Sequence, residues 1–127
     1  MFAEEIEDKK AVQLFGGDSK YMAKACQNEL IQKFDVIDIN MGCPAPKIIK
    51  NAEGSALMGD IDKAREIIEA CVEVTDKPIT VKFRKGYKND NAVEFAKMCE
   101  KAGASAITIH SRMMSQGYSG VVDYEVI

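Results

Sequence analysis

The sequence lacks the features that mark a membrane protein, a secreted protein or a zinc protein. No apolar run approaches the roughly 18 residues of a membrane-spanning helix, and the acidic start, MFAEEIEDKK, does not resemble a signal peptide. The cysteines form no CxxC pair and His110 is the single histidine, so no metal site is predicted. We therefore expect a cytoplasmic protein without a membrane segment.

The cysteines fall into two kinds. Cys26, Cys71 and Cys99 each lie on the apolar stripe of a predicted helix, where cysteine packs as a small buried hydrophobe. Disulfides are not expected in a reducing cytosol. Cys43 differs from the other three because it stands between a glycine and a proline, just after an apolar run.

Short apolar strands alternate with amphipathic helices along the chain. Strands are predicted over 11–15, 35–39, 78–83 and 106–110. The first helix is capped by Asp18 or Ser19 and carries Met22, Cys26, Leu30 and Phe34 at helical spacing. The second helix begins near Asp60, and the third is capped by Asn89 or Asp90 and ends at Gly103. This order predicts an α/β fold with a parallel sheet. The repeats average about 31 residues, as in a (β/α)₈ barrel of about 250 residues, so the 127 residues form about half a barrel.

The net charge of −3 argues against a nucleic-acid partner, but its distribution does not. The stretches 40–59, 82–89 and 110–120 carry +1, +4 and +1, which leaves −9 on the rest of the chain. These stretches follow strands two, three and four, and ligands of parallel α/β folds bind at the carboxyl ends of strands. The sequence therefore predicts a basic ligand-binding edge.

The thiol of Cys43 is predicted to face this edge. Gly42 and Pro44 indicate a tight turn that points the side chain into the site, although burial as a packing residue is an alternative. A free thiol has a pKa near 8.5 and is mostly protonated at neutral pH. Cys43 is therefore a candidate nucleophile, if a base or cation activates it, or a candidate proton donor.

Polar residues at the other strand ends are further candidates. Lys82 and Arg84, two residues apart, point to the same side of strand three, which is the interior of a barrel, and they suit an anionic ring or phosphate. The alternative is a solvated edge strand. His110, Gln13 and Asn40 are uninformative alone, and Lys47, Lys50 and Arg112 are ordinary loop charges when taken singly.

Four motifs together resemble the tRNA-dihydrouridine synthase family. They are VQLFGGD, DINMGCPAPKIIKNAEGSALM, ITVKFRKGY and ITIHSRMMSQGYSG, in the family's order and spacing, and they cover nearly the whole chain. The block around Cys43 is the most diagnostic, because other flavin barrels share a glutamine, lysine and histidine pattern but lack this block. The chain departs from the family at Ser111 and Met113, where a His-Gly-Arg-Thr motif is usual.

The resemblance implies an FMN enzyme that uses NADPH to reduce the 5,6 double bond of tRNA uridines. Gln13, Lys82 and His110 would contact the flavin. Asn40 and Arg84 would hold the uracil, and Cys43 would donate a proton to C5. Lys47, Lys50 and Arg112 would lie near RNA phosphates, where charge supplies affinity.

The resemblance also implies that residues 1–127 form only part of the catalytic barrel domain, namely strands three to six of eight. The remaining strands, the FMN phosphate site and a C-terminal helical tRNA-binding domain would lie elsewhere. Two other functions stay open. One is an FMN barrel that reduces a small molecule, which would have little need for the loop cations Lys47, Lys50, Lys85 and Lys88. The other is an inactive fragment with a structural or assembly role. Because two strand edges would be open, self-association of the isolated chain is a further expectation.

Overall fold

A computed structural model describes residues 8–127 and places four parallel strands in one sheet. The strands are β1 Ala11–Leu14, β2 Val36–Met41, β3 Ile79–Gly86 and β4 Ala106–Met113. They stand in sequential order, and each neighbouring pair is parallel. The predicted α/β architecture, with four parallel strands matching part of a (β/α)₈ barrel, is confirmed.

Helices connect the strands. They are α1 Ser19–Cys26, α2 Pro46–Lys50, α3 Ile61–Glu73 and α4 Ala92–Lys101. Short 3₁₀ helices cover Ile31–Lys33, Gly54–Gly59, Met114–Gln116 and Tyr124–Val126. The long connection between β2 and α3 thus contains α2 and a 3₁₀ helix. None of the helices in the described part of the chain combines the length and apolar character that a membrane span requires.

The two faces of the sheet differ in polarity because side chains alternate along each strand. On one face Ile37, Ile39, Val81 and Phe83 are fully buried against α1, α3 and α4. The other face carries polar residues, and within residues 8–127 none of the helices α1 to α4 covers it; we call it the open face. Its residues used below are Gln13, Asp38, Asn40, Thr80, Lys82, Arg84 and His110. In a barrel this face is the interior, so the sheet presents its polar side where a ligand would bind.

The first helix is shorter than its apolar spacing predicts. It ends at Cys26, and Leu30, which was expected on the buried stripe, is 65% exposed. The side chain of Asn28 accepts a hydrogen bond from the backbone N–H of Leu30 at 2.9 Å. Such a local turn competes with the helical hydrogen bonds and explains why α1 stops.

The other predicted helix boundaries fit the structure with one exception. Asp18 caps α1 by accepting hydrogen bonds from the N–H groups of Lys20 and Tyr21, and the side chain of Asp60 caps α3. The N-cap of α4 is Asn91, not Asn89 or Asp90. The amide of Asn91 donates to the carbonyl of Met58 at 2.8 Å, so this residue ties α4 to the long connection instead of capping the helix with its side chain.

Candidate functional site

The loop that carries Cys43 is held from within β2. The side-chain oxygen of Asn40 accepts hydrogen bonds from the backbone N–H groups of Gly42 and Cys43, at 3.0 and 2.9 Å. An asparagine that bonds the backbone two or three residues on closes a compact turn. Asn40 therefore positions the half-buried Cys43 directly at the end of the strand.

Ser55, in the connection between β2 and α3, also holds the cysteine loop. The carbonyl oxygen of Cys43 accepts hydrogen bonds from both the N–H and the hydroxyl of Ser55, each at 3.0 Å, and Ser55 is fully buried. Gly54 has a φ of +60°, and a Cβ built on it would lie 2.7 Å from the Cys43 carbonyl oxygen. Only glycine permits this close approach. Gly54 and Ser55 of the GSALM segment therefore support the cysteine loop.

Arg84 clamps the cysteine loop to the segment that follows β4. Its Nε donates to the carbonyl of Gly42 at 2.7 Å, and its Nη1 donates to the carbonyls of Gly117 at 2.7 Å and Met113 at 3.3 Å. The side chain is 1% exposed. Burial lowers the pKa of Arg84 below its ordinary value, while Tyr118 and Cys43 act to raise it. Arginine stays protonated across the physiological range, so the clamp is a charged one.

The structure brings the predicted flavin contacts to the open face. Asn40 pairs with Lys82 across β2 and β3, and Arg84 pairs with His110 across β3 and β4. Gln13 reaches the same row from β1, where its carbonyl oxygen accepts a hydrogen bond from the Asn40 amide at 3.0 Å. Within residues 8–127, half-buried Lys82 forms no hydrogen bond or salt bridge. Its ammonium group is therefore free to meet a ligand.

His110 sits in a positive environment. Burial lowers its pKa, and the charges of Arg84, Lys82 and Arg112 lower it further. The imidazole is therefore neutral near pH 7, with one nitrogen donating and the other accepting hydrogen bonds. Its ring lies 6.1 Å from that of Tyr118, centroid to centroid.

A cleft lies between the cysteine loop and the segment after β4. It has a volume of about 500 Å³ and is open to solvent. Its walls include Cys43, Pro44, Met114, Gln116 and Tyr118. Tyr118 is 78% exposed, and its ring lies 5.5 Å from the Arg84 guanidinium carbon. Cys43 therefore lines an accessible space with an aromatic wall.

The basic residues divide into three groups. Lys47 and Lys50 are exposed on α2, next to the cysteine loop. Arg112 is half-buried, and its Nε is buried without a hydrogen-bond partner among the described residues. Lys85, expected among the free cations, instead forms salt bridges with Asp123 at 2.6 Å and Asp90 at 3.1 Å, which raise its pKa. Lys85 is therefore a link between loops and is not available to an anionic partner.

The other three cysteines are buried, as predicted from their helical positions. Cys26, Cys71 and Cys99 have no exposed surface. Burial raises the pKa of Cys99 to about 12. The hydrogen bond that the Cys71 thiol donates to Cys26, together with burial, also raises the pKa of Cys71. The same hydrogen bond lowers the pKa of Cys26, but all three thiols lack exposed surface, so none of them is accessible to a reactant. Of the four, only Cys43 reaches the cleft.

Sequence reasoning missed several residues that shape the site. Ser55 and Gly54 belong to the quoted GSALM segment, but nothing in that segment shows that it contacts the Cys43 carbonyl. Asp38 was read only as part of a strand, although its alternation with Ile37 and Ile39 places it on the open face with Asn40. Tyr118 carried no signal beyond its place in the last motif.

The donors on the open face fit a flavin ring. An isoalloxazine has carbonyl oxygens, a ring N–H and an electron-rich end. The amide of Gln13, the neutral imidazole of His110 and the unpaired ammonium of Lys82 match these groups by hydrogen bonding and charge. The fit concerns the ring alone.

A family model described as Dihydrouridine synthase (Dus) matches residues 1–127. The chain belongs to the dihydrouridine synthase family. It is 41% identical over 123 residues to tRNA-dihydrouridine synthase B of Pseudomonas aeruginosa, covering 95% of this chain and 37% of that protein. It is 43% identical over 118 residues to a probable tRNA-dihydrouridine synthase of Rhizobium leguminosarum bv. phaseoli, covering 91% of this chain and 37% of that protein. The chain thus spans about 37% of the length of these curated relatives.

Proposed function

We propose that this chain is the part of a tRNA-dihydrouridine synthase that carries the proton-donating cysteine and the ring-binding face. The complete enzyme would use FMN and NADPH to reduce the 5,6 double bond of a tRNA uridine. The observation that carries the proposal is the cysteine loop: Cys43 lines the cleft, and Asn40 and Arg84 of the open face hold the loop by hydrogen bonds. Family membership supports the reaction class.

Cys43 is proposed to donate the thiol proton to C5 of the uracil. A bound, reduced flavin supplies the hydride that reduces C6. A protonated thiol needs no charge buried in advance, so it suits a site beside an electron-rich ring. Asn40, Ser55 and Arg84 hold the loop by its backbone, which fixes the thiol without using its proton.

Asn40 and Arg84 are proposed to hold the uracil. The Asn40 amide nitrogen has two hydrogens, and one bond to Gln13 leaves the other for a uracil oxygen. The bonds of Arg84 to backbone carbonyls use Nε and Nη1, so the Nη2 hydrogens are the ones a base would take. Arg84 therefore has a structural role in addition to this proposed one.

Lys82 is proposed to hold the electron-rich end of the flavin together with Gln13 and His110. In a complete synthase carrying this segment, Lys82→Met should weaken flavin binding roughly tenfold or more, because a hydrogen bond from a charged group is lost. Flavin fluorescence during titration measures the affinity. Lys88→Met, which removes an exposed cation from the loop after β3, is the matched control. Equal flavin affinity in Lys82→Met and Lys88→Met would show that Lys82 does not hold the flavin.

Lys47, Lys50 and Arg112 are proposed to meet tRNA phosphates. The exposed pair on α2 favours an RNA substrate over a free pyrimidine or an enone, because a small neutral molecule gains nothing from cations beside the thiol loop. Phosphate contacts should make binding salt-dependent. A cytoplasmic location, expected from the sequence, stays a prediction.

The isolated 127-residue chain is proposed to self-associate or to be poorly soluble, and not to bind FMN measurably. Within the described residues the outer edges of β1 and β4 are unpaired, and Ile107 on β4 is 39% exposed. Unpaired strand edges favour pairing with another chain. Size-exclusion chromatography and flavin fluorescence test both parts. A monomer that binds FMN with micromolar affinity would contradict this proposal and the inactive-fragment alternative together.

The proposed reaction is tested by its two halves in a complete synthase carrying this segment. NADPH should bleach the flavin absorbance, and tRNA lacking dihydrouridine should restore it. Free uridine or a simple enone should restore it far more slowly. Fast reoxidation by a small molecule, with none by tRNA, would favour the alternative of a small-molecule reductase.

A further inference from the structure

A carboxylate stands at the start of a hydrogen-bond chain that leads to the cysteine loop. Asp38 lies on the open face of β2, level with Gln13 on β1 and Thr80 on β3. Its two oxygens accept hydrogen bonds from the Thr80 hydroxyl and from the Gln13 amide nitrogen, both at 2.6 Å. Asp38 has no part in the proposed reaction.

From Asp38 the series of hydrogen bonds continues through Gln13 and Asn40 to the cysteine loop. Because the Gln13 nitrogen points to Asp38, its carbonyl oxygen points to Asn40 and accepts from the Asn40 amide nitrogen at 3.0 Å. The oxygen of Asn40 is then left to accept from the N–H groups of Gly42 and Cys43. Donors and acceptors therefore alternate without conflict from Asp38 to the peptide of the cysteine.

The carboxylate is the group that sets this direction. A side-chain amide presents a donor or an acceptor according to how it is rotated, whereas a carboxylate only accepts. If Gln13 turned over, its carbonyl would face the oxygen of Asp38 and its nitrogen would face the nitrogen of Asn40. Both contacts would be lost, because two acceptors would face each other at Asp38 and two donors would face each other at Asn40. Asp38 therefore disfavours the reversed arrangement.

We propose that Asp38 is a positioning residue that fixes the orientation of the Gln13 and Asn40 amides and, through Asn40, the backbone of the Cys43 loop. Any effect of Asp38 on catalysis rests on the proposed function, in which Gln13 contacts the flavin and Asn40 holds the uracil. The structural claim is independent of that reaction.

Hydrogen–deuterium exchange in a complete synthase carrying this segment, read by mass spectrometry, tests the structural claim without tRNA and without turnover. Asp38→Asn keeps the size of the side chain but allows either amide orientation. The amides of Gly42 and Cys43 should then exchange roughly tenfold faster, since each loses part of one hydrogen bond. Thr80→Val removes one donor to Asp38 and leaves the carboxylate in place, so it should change these rates by less than about twofold.

A pair of compensating substitutions distinguishes an effect of hydrogen-bond direction from a general loss of structure. In Asp38→Asn combined with Gln13→Glu, the acceptor-only group moves to position 13, between two amides that must both donate to it. The alternation that ends at the cysteine loop is restored, so exchange at Gly42 and Cys43 should return to within about twofold of the parent chain. Unchanged exchange in Asp38→Asn, or a double variant as fast as the single one, would overturn the proposal. Because neither readout requires turnover, failure of the dihydrouridine reaction would leave this result unaffected.

Discussion

Replacing Cys43 with alanine in a complete synthase carrying this segment is expected to slow dihydrouridine formation by about 10²–10⁴-fold, the usual contribution of a positioned general acid. The loop itself should persist, because its contacts to Asn40, Ser55 and Arg84 all use backbone atoms of Gly42 and Cys43. Flavin should remain bound and NADPH should reduce it at the parent rate. Stopped-flow absorbance separates this half-reaction from reoxidation by tRNA, and only the second should be slow.

Cys99→Ala is the matched control for Cys43→Ala. Cys99 is buried on α4 and does not reach the cleft, so its loss should reduce stability and leave the reoxidation rate near that of the parent. Equal reoxidation rates in Cys43→Ala and Cys99→Ala would return Cys43 to the class of packing residues.

Replacing Arg84 with methionine is expected to destabilise the chain by about 3 kcal/mol. The change removes the charged hydrogen bonds to the carbonyls of Gly42, Met113 and Gly117, and one such bond contributes about 1.5–3 kcal/mol. Water can replace part of the loss at Met113 and Gly117, which are only half-buried. Urea unfolding at one fixed protein concentration measures the loss, since association makes stability depend on concentration.

Arg84→Lys is the informative companion of Arg84→Met. Lysine keeps the charge but lacks the planar fork that reaches Gly42 on one side and Gly117 on the other. Most of the destabilisation expected for Arg84→Met should therefore remain in Arg84→Lys. If lysine restored the stability of the parent, the contribution of Arg84 would be its charge and not the clamp between the two loops.

The fold could be predicted because its pattern is local. Along β2 the apolar residues Ile37 and Ile39 alternate with Asp38 and Asn40, which fixes the helix-covered face and the open face together. The end of α1 could not be predicted in the same way. Apolar spacing continues past Cys26, but the side chain of Asn28 bonds the backbone there, and the sequence does not show which of the two effects prevails.

The residues of the candidate site could be predicted where they stand at strand ends, but their distant partners could not. Strand ends identified Gln13, Lys82 and His110, and the structure brings them to one face. Lys85 looked like another free cation, but Asp123, which lies 38 residues further along, pairs with it. The Gly42 carbonyl that accepts from Arg84 lies 42 residues away and is backbone, so no side-chain pattern marks it. Partners of this kind become visible only in three dimensions.

In the proposed reaction, this chain supplies the thiol for reduction of a tRNA uridine. The most direct test is mass spectrometry of tRNA lacking dihydrouridine, after incubation with FMN, NADPH and a complete synthase carrying this segment. We predict that a uridine gains the mass of two hydrogens with the parent sequence, and that this gain is nearly lost with Cys43→Ala. An equal gain with both proteins, or no gain with the parent while its flavin is reduced and reoxidised by a small molecule, would contradict the account.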